Sequence, residues 1–360
     1  MGQTIEYIDT QTAVDQLSAQ LRGAGPIGFD TEFLRERTYH PTLCLAQIAL
    51  RDEYYLVDPL SDIDCSGFWQ ALTEEELTLH AGRQDIEVMV EDSDRFPKKI
   101  FDTQIAAGLV GLPPQVGYAA LVEEFCDVKL AKAHTRTNWS RRPLDADVLR
   151  YATDDVRFLK PVRDALSEQA DKLGRTEWIQ QDCTDLLDPD RYAVLPENAW
   201  SRLRGLRRLP QRVQQRAMAL AAWRESEAMS RNLPRQWIIR DDALIDISFQ
   251  NPKATQDLAT VQGLDRKSAR RHGDALIGAL SGDLPPPPEH ADRPDADTRA
   301  TQKAMAQKVR DVGADLALES EVLAPQRELK RAASGDRDIR ALRGWREPLL
   351  APIIEPLMPN

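Results

Sequence analysis

The chain has 360 residues, 42% hydrophobic and 29% charged, enough apolar material for two or three packed domains but with no apolar run long enough to span a membrane. Its start, MGQTIEYIDTQ, is polar and acidic, and Glu6 stands where a myristoylation signal needs a hydroxyl, so it reads as neither a signal peptide nor a lipid anchor. The net charge of −11 argues against a uniformly basic nucleic-acid binder, but the charge is uneven: residues 1–194 carry 20 Lys and Arg against 35 Asp and Glu, residues 195–282 carry 15 against 9, and residues 283–360 carry 12 against 14.

The acidic first block opens with three apolar runs. IGFDTEF (27–33), LCLAQIAL (43–50) and YYLVDP (54–59) predict a three-strand meander. A helix is predicted near 67–72, a short buried strand at LTLH (77–80), a helix at RQDIEVMVED (83–92) and an amphipathic helix at GYAALVEEF (117–125). Residues 144–173 read as a long helical stretch broken or kinked at Pro161. Strands first, then strands alternating with helices, predict a layered α/β domain over residues 1–192. Beyond Leu195 the strand signals fade, and residues 195–282 read as a basic helical bundle. The Pro-rich, acidic stretch 283–297 reads as a stiff linker, and residues 298–355 as a second, shorter helical module. Cys44, Cys65, Cys126 and Cys183 lie far apart with no CxxC pair, which suits isolated buried thiols in a cytoplasmic protein better than zinc ligands.

Within the first strand, Asp30 and Glu32 are two residues apart, so both carboxylates share one face while Phe29, Thr31 and Phe33 take the other. Two anions so placed repel, and each raises the other's pKa unless a cation lies between them. Asp85 stands near the start of a helix, where an acid is commonly a cap. On the later helix Tyr151 and Asp155 are i and i+4 and share a face. Taken singly, these residues suit a wet strand face, a cap, a packing tyrosine and a solvated charge. Taken together, four carboxylates suit two divalent metal ions, Mg²⁺ or Mn²⁺, spaced about 3.5–4 Å apart for in-line attack at phosphorus. Tyr151 would orient the attacking water, because a tyrosine with a pKa near 10 is a poor base at neutral pH.

The order D-x-E, D, Y-x-x-x-D resembles the DEDDy class of 3′→5′ exonucleases. The blocks FDTEFLRERTYHPTLCLAQIA, LHAGRQDIEVM, FDTQIAAGLVG, TNWSRRPL and YATDDVRFL resemble, in order and spacing, those of the ribonuclease D family. That resemblance implies a ribonuclease H-like exonuclease domain with a mixed five-stranded sheet and helices on both faces. It implies metal ligation by Asp30, Glu32, Asp85 and Asp155, with Tyr151 facing the water. It also implies RNA as substrate, trimmed from the 3′ end to nucleoside 5′-monophosphates, with tRNA precursors and other small structured RNAs as typical targets, and a monomer. Asp102, in FDTQ, matches a further family acid and is expected behind the ligands or as a structural residue.

LAAWRESEAMSRNLPRQWIIRDDAL resembles the HRDC (helicase-and-RNase-D C-terminal) domain, and residues 316–350 resemble a second, degenerate copy. The basic surplus of the first copy predicts contact with an RNA backbone, through Arg207 and Arg208 near its start and Arg270 and Arg271 near its end. Lys132, Arg136, Trp139, Arg141 and Arg142, ahead of the Tyr151 helix, are further candidates for phosphate contact or base stacking. A DNA 3′→5′ exonuclease and an inactive, RNA-binding nuclease fold are the competing readings. No P-loop is present, and no ligand of the motif is missing.

Overall fold

The computed structural model describes residues 5–131, 137–287 and 295–359. The chain forms two compact units: Met1–Leu34, Leu43–Arg191 and Arg293–Asn360 make the first, and Arg35–Thr42 with Tyr192–Asp292 make the second.

The first unit is built on a mixed sheet of six strands where the resemblance implied five. The strands are β1 (Ile5–Ile8), β2 (Ile27–Leu34), β3 (Thr42–Leu50), β4 (Glu53–Val57), β5 (Glu76–Leu79) and β6 (Lys99–Asp102), in the spatial order β1-β4-β3-β2-β5-β6. The meander is present as the neighbours β2, β3 and β4, with β3 and β4 antiparallel. β1 adds to β4 in parallel, and β5 and β6 extend β2 in parallel. β3 and β4 are buried over nearly their whole length, as expected of strands covered on both faces.

Among the described residues, eight α-helices of this unit precede the second unit in the chain: α1 (Gln11–Leu21), α2 (Ser66–Thr73), α3 (Arg83–Ser93), α4 (Thr103–Leu109), α5 (Tyr118–Cys126), α6 (Ala146–Arg157), α7 (Leu159–Leu173) and α8 (Thr176–Thr184). The long helical stretch breaks at Phe158 rather than at the predicted Pro161. Pro161 lies in the first turn of α7, where its missing N–H has no intrahelical acceptor to lose. The break is held by Tyr118, whose hydroxyl accepts from Phe158 N (3.0 Å) and donates to the Asp154 carbonyl (3.3 Å).

The second unit holds α9 (Gln211–Ser230), α10 (Arg235–Ile238), α11 (Asp241–Gln250) and α12 (Arg266–Ser281) around a core that includes Leu206, Leu220, Leu244, Ile247 and Leu276. That core also contains Tyr39, from the short segment between β2 and β3. The Asp265 carboxylate caps α12 by accepting from Lys267 N and Ser268 N, both at 2.9 Å.

Four more helices, α13 (Ala296–Leu316), α14 (Ser320–Leu323), α15 (Gln326–Ala333) and α16 (Glu347–Ile354), return to the first unit. Their attachment centres on Asp182 of α8. Arg346 forks onto its two oxygens at 2.6 and 2.8 Å, Trp345 Nε1 donates to it at 3.0 Å, and Arg340 reaches it at 2.6 Å. Trp345 stacks flat on Trp178, with ring centroids 4.2 Å apart. None of the four cysteines forms a disulfide among the described residues; Cys44 and Cys183 are buried, while Cys65 and Cys126 are half-buried. Among the described residues, no helix is long and apolar enough to cross a membrane.

Candidate active site

Gly28, Asp30 and Glu32 occupy alternate positions of β2 and so share a face. A Cβ on Gly28 would lie 2.9 Å from the Ala49 Cβ and 3.4 Å from both the Val156 carbonyl and a Leu159 methyl. Glycine is required here by the close approach of Ala49 on β3, and the α6–α7 junction, through Val156 and Leu159, packs against the same point of β2, which sets Asp155 beside Asp30 and Glu32. α6 buries Val148, Ala152 and Val156 at i, i+4 and i+8, and this anchors its orientation. Asp85 lies in the first turn of α3, 7% exposed, where its Oδ1 accepts from Thr31 N (3.0 Å) and Thr31 Oγ1 (2.6 Å). The alternation of the strand marks Thr31 only as a residue of the opposite face; in the structure it ties the third acid to the strand bearing the first two. Its small polar side chain between two acids was the available signal.

The electrostatics bind these residues into one site. Burial pushes the Asp30 carboxyl well above the usual carboxylate range, and Asp85, Asp155 and Glu32 add to the rise in that order. Burial, then Asp155 and Asp85, raises Glu32 to about 8. Burial raises Asp155 to about 7 against a hydrogen bond from Tyr151, and raises Asp85 to about 6 against the two Thr31 bonds. The Tyr151 hydroxyl is pushed up by burial and then by Asp155, Glu32 and Asp30, so it stays protonated at neutral pH. Four carboxyls raised by burial, with Asp85 and Asp155 adding to the rise of Asp30 and Glu32, make a strong attractor for positive charge. Among the described residues, no group of three or more His, Cys, Asp or Glu side chains closes tightly enough to hold a metal ion by itself. The acids therefore share a field rather than a finished cage. Their hard carboxylate oxygens are the donor set that suits Mg²⁺ or Mn²⁺.

Asp102 has a structural task. It is 1% exposed and caps α4, accepting from Gln104 N (2.8 Å) and Ile105 N (3.2 Å). It also accepts from Ala81 N (3.2 Å) and Gly82 N (2.8 Å), the turn that starts α3 and thereby aims Asp85. Asp102→Asn removes one acceptor oxygen from this hub and is expected to destabilise the protein by about 2–3 kcal/mol, measured by thermal denaturation.

The candidates for RNA contact divide. Trp139 is 5% exposed in a core cluster with Cys44, Leu45 and Leu56, its ring 6.2 Å from that of Tyr151, so it backs the site and offers no stacking face to solvent. Arg142 is committed to Asp58 (2.5 and 2.6 Å) and to the carbonyls of Cys44 and Trp139 (both 2.7 Å), which makes it a brace for the segment leading to α6. Lys132 and Arg136 lie outside the described residues. Arg141, Arg207, Arg208, Arg270 and Arg271 are exposed.

Comparison with known proteins places this geometry. Residues 5–171 match the family model for a 3′-5′ exonuclease, and residues 213–280 match the HRDC domain. The ribonuclease D of Nitrobacter hamburgensis is 37% identical over 96% of this chain and 93% of its own length. The chain belongs to the ribonuclease D family. The ribonuclease D of Sphingobium indicum is 35% identical over 92% of this chain and 88% of its own length. The crystal structure of Escherichia coli RNase D superposes with a TM-score of 0.87 at 29% identity, covering 99% of this chain and 98% of that one. As a member of the ribonuclease D family the chain is a 3′→5′ exoribonuclease, a hydrolase of RNA phosphodiester bonds.

Proposed function

We propose that Asp30, Glu32, Asp85 and Asp155 hold two divalent ions, Mg²⁺ or Mn²⁺, against the 3′-terminal phosphodiester of RNA, and that Tyr151 orients the attacking water. The observation that carries this reading is the convergence of four carboxyls, each raised first by burial, with Asp85 and Asp155 further raising both Asp30 and Glu32. Bound there, the cations supply the Lewis acidity that activates the attacking water and stabilises the leaving 3′-oxygen. Asp30 and Glu32 present their oxygens from a strand, Asp155 from α6 and Asp85 from the first turn of α3, so the site rests on packed elements. Tyr151 keeps its proton and holds Asp155 through it, which makes the hydroxyl an orienting donor rather than a base. The products of this attack are nucleoside 5′-monophosphates.

Escherichia coli RNase D is described as an exoribonuclease involved in structured RNA processing. That supports small structured RNAs with accessible 3′ ends, tRNA precursors among them, as substrates here, and the family resemblance supports a cytoplasmic monomer divided into an exonuclease domain (1–192), an HRDC domain (195–282), a linker (283–297) and a second HRDC-like module (298–355). The test is a digest of 3′-labelled and 5′-labelled RNA, with matched DNA, with and without EDTA. Immediate release of 3′ label, stepwise shortening of the 5′-labelled strand, slower DNA hydrolysis and complete inhibition by EDTA are expected. Undiminished hydrolysis in EDTA would overturn the metal assignment.

We further propose that Arg207, Arg208, Arg270 and Arg271, with Arg141, contact RNA phosphates, as their exposure and the basic surplus of residues 195–282 support. Changing the first four to glutamine is expected to weaken binding to structured RNA and to flatten log affinity against log salt by about 1–3 units of slope, at roughly 0.7 per lost contact to a single strand. An unaltered slope would remove these residues from the interface.

A further inference from the structure

β2 and residues 43–50 of β3 are neighbours in the sheet of the first unit. The connection between the two strands, residues 35–41, is too short for the crossover of about a dozen residues that a parallel pair needs, so they run antiparallel. A Cβ on Gly28 would meet the Ala49 Cβ, which sets these two positions side by side on one face. Two residues further along each strand, in opposite directions, Gln47 stands beside Asp30 on that same face. On its other flank Gln47 pairs with Leu56 of β4, and its same-face neighbours along β3 are Leu45 and Ala49. α6 covers this face: Leu45 and Leu56 cluster with Val148 and Ala152, and Ala49 with Val156. Within the sheet, Gln47 is therefore flanked by apolar side chains on every side except that of Asp30.

Gln47 is 0% exposed, and neither its Nε2 nor its Oε1 has a hydrogen-bond partner among the described residues. A carboxamide buried without partners costs stability, and an apolar side chain of similar length would avoid that cost at this position. Buried polar groups left unpaired are few in folded proteins, and each requires a reason. The neighbouring acids supply the pattern. Asp85 accepts from Thr31 N and Oγ1, and Asp155 accepts from the Tyr151 hydroxyl. The side chain placed to do the same for Asp30 is Gln47. An amide also suits the task electrostatically, because it donates to a carboxylate without bringing a positive charge that would repel cations.

We infer that Gln47 is a positioning residue for the exonuclease reaction: in the cation-loaded site its Nε2 donates to the Asp30 carboxylate and fixes the orientation in which that carboxylate serves as a ligand. The inference deepens the reading of Asp30 as a metal-holding group and rests on it. Gln47 touches no reacting atom and acts through Asp30. Removing a hydrogen-bond partner of this kind from behind a metal ligand lowers metal affinity or activity about 10- to 100-fold.

The experiment compares Gln47→Met and Gln47→Glu in the full-length protein, with Leu56→Met, at the paired position of β4, as the control for repacking. Both methionine substitutions nearly conserve volume. Three quantities are read: the melting point after EDTA treatment, Mg²⁺ affinity by calorimetry, and kcat and KM on a single-stranded RNA. For Gln47→Met the melting point should stay level or rise by about 2–6 °C, because the unpaired carboxamide is gone. Its Mg²⁺ affinity and kcat should each fall about 10- to 100-fold, with KM for RNA within about twofold. Gln47→Glu keeps the length but exchanges the donor for an acceptor, and should lose at least as much kcat. Leu56→Met should leave Mg²⁺ affinity and kcat within about twofold of the parent. A Gln47 that serves packing alone would show the reverse, a lower melting point with Mg²⁺ affinity and kcat intact. That result, wild-type kcat in Gln47→Glu, or losses in Gln47→Met no larger than those in Leu56→Met, would overturn the inference. Failure of the underlying reading is distinguishable, because Asp30→Asn would then retain Mg²⁺ affinity and turnover whatever the Gln47 variants do.

Discussion

Replacing Asp155 by asparagine is expected to abolish turnover while leaving RNA affinity within about twofold of the parent. The substitution preserves volume and keeps an oxygen to accept from Tyr151, so α6 retains its packing through Val148, Ala152 and Val156. What it removes is one negative charge from a set of four whose fields overlap. The loss in kcat should exceed about 10³-fold, more than follows from deleting one donor in a preorganised site. Divalent-ion affinity, followed by calorimetry, should fall alongside. Tyr151→Phe provides the contrast: metal affinity should persist, with a smaller loss in kcat of about 10²-fold. Single-turnover digestion of a short RNA at saturating Mg²⁺ measures both variants. Wild-type rates in Asp155→Asn would defeat the four-carboxylate assignment, and unchanged kinetics in Tyr151→Phe would remove that hydroxyl from the reaction.

The second large effect is structural. Asp182→Ala should destabilise the exonuclease unit by about 3–5 kcal/mol, because it leaves a guanidinium with a side chain 2% exposed and an indole N–H without their acceptor. For a unit of this size that corresponds to a melting point lower by roughly 6–20 °C. Removing both charges with an apolar replacement, Asp182→Ala with Arg346→Met, should recover part of the loss, since an unpaired buried charge is worse than none. The pair also predicts an acid limit. Burial works to raise the Asp182 carboxyl, but Arg346, Arg340 and Trp345 together hold it below its ordinary value of 3.8. A carboxyl lowered in the folded state contributes stability above its unfolded pKa and loses it as pH falls through the folded value. Wild type should therefore lose this contribution below about pH 3.8, and Asp182→Ala should show a flatter acid limb. A variant melting within a degree or two of the parent would show that the cluster is not an anchor.

Much of this site is legible in the sequence because its logic is local. Asp30 with Glu32 at i, i+2 and Tyr151 with Asp155 at i, i+4 announce shared faces, and the long apolar runs of β3 and β4 announce buried strands. What brings those faces together is not local. Gly28 leaves room for Ala49 of the neighbouring strand at the point where α6 meets β2, and the placement of Asp85 depends on Thr31, 54 residues away. The apolar runs mark β2 to β5 but not β1 and β6, four residues each at the two edges of the sheet, so the sheet has six strands where the resemblance implied five. Arg142 and Trp139 misled for the same reason. A basic and aromatic segment reads as a nucleic-acid contact until Asp58, 84 residues away, is seen to occupy the guanidinium. Pro161 drew the predicted helix break towards itself, although a proline in a first turn breaks nothing.

The Asp182–Arg346 anchor joins residues 164 positions apart. At about 5–20 residues per second on the ribosome, roughly 8 to 30 s pass between synthesis of the carboxylate and synthesis of its partner. Throughout that interval the nascent exonuclease lacks the indole that stacks on Trp178 and the guanidinium that forks onto Asp182, and a message truncated before residue 340 never supplies either partner. The contacts that complete this fold are thus written near the end of the message, so a chain cut short there keeps its first 191 residues but not the partners of Asp182 and Trp178.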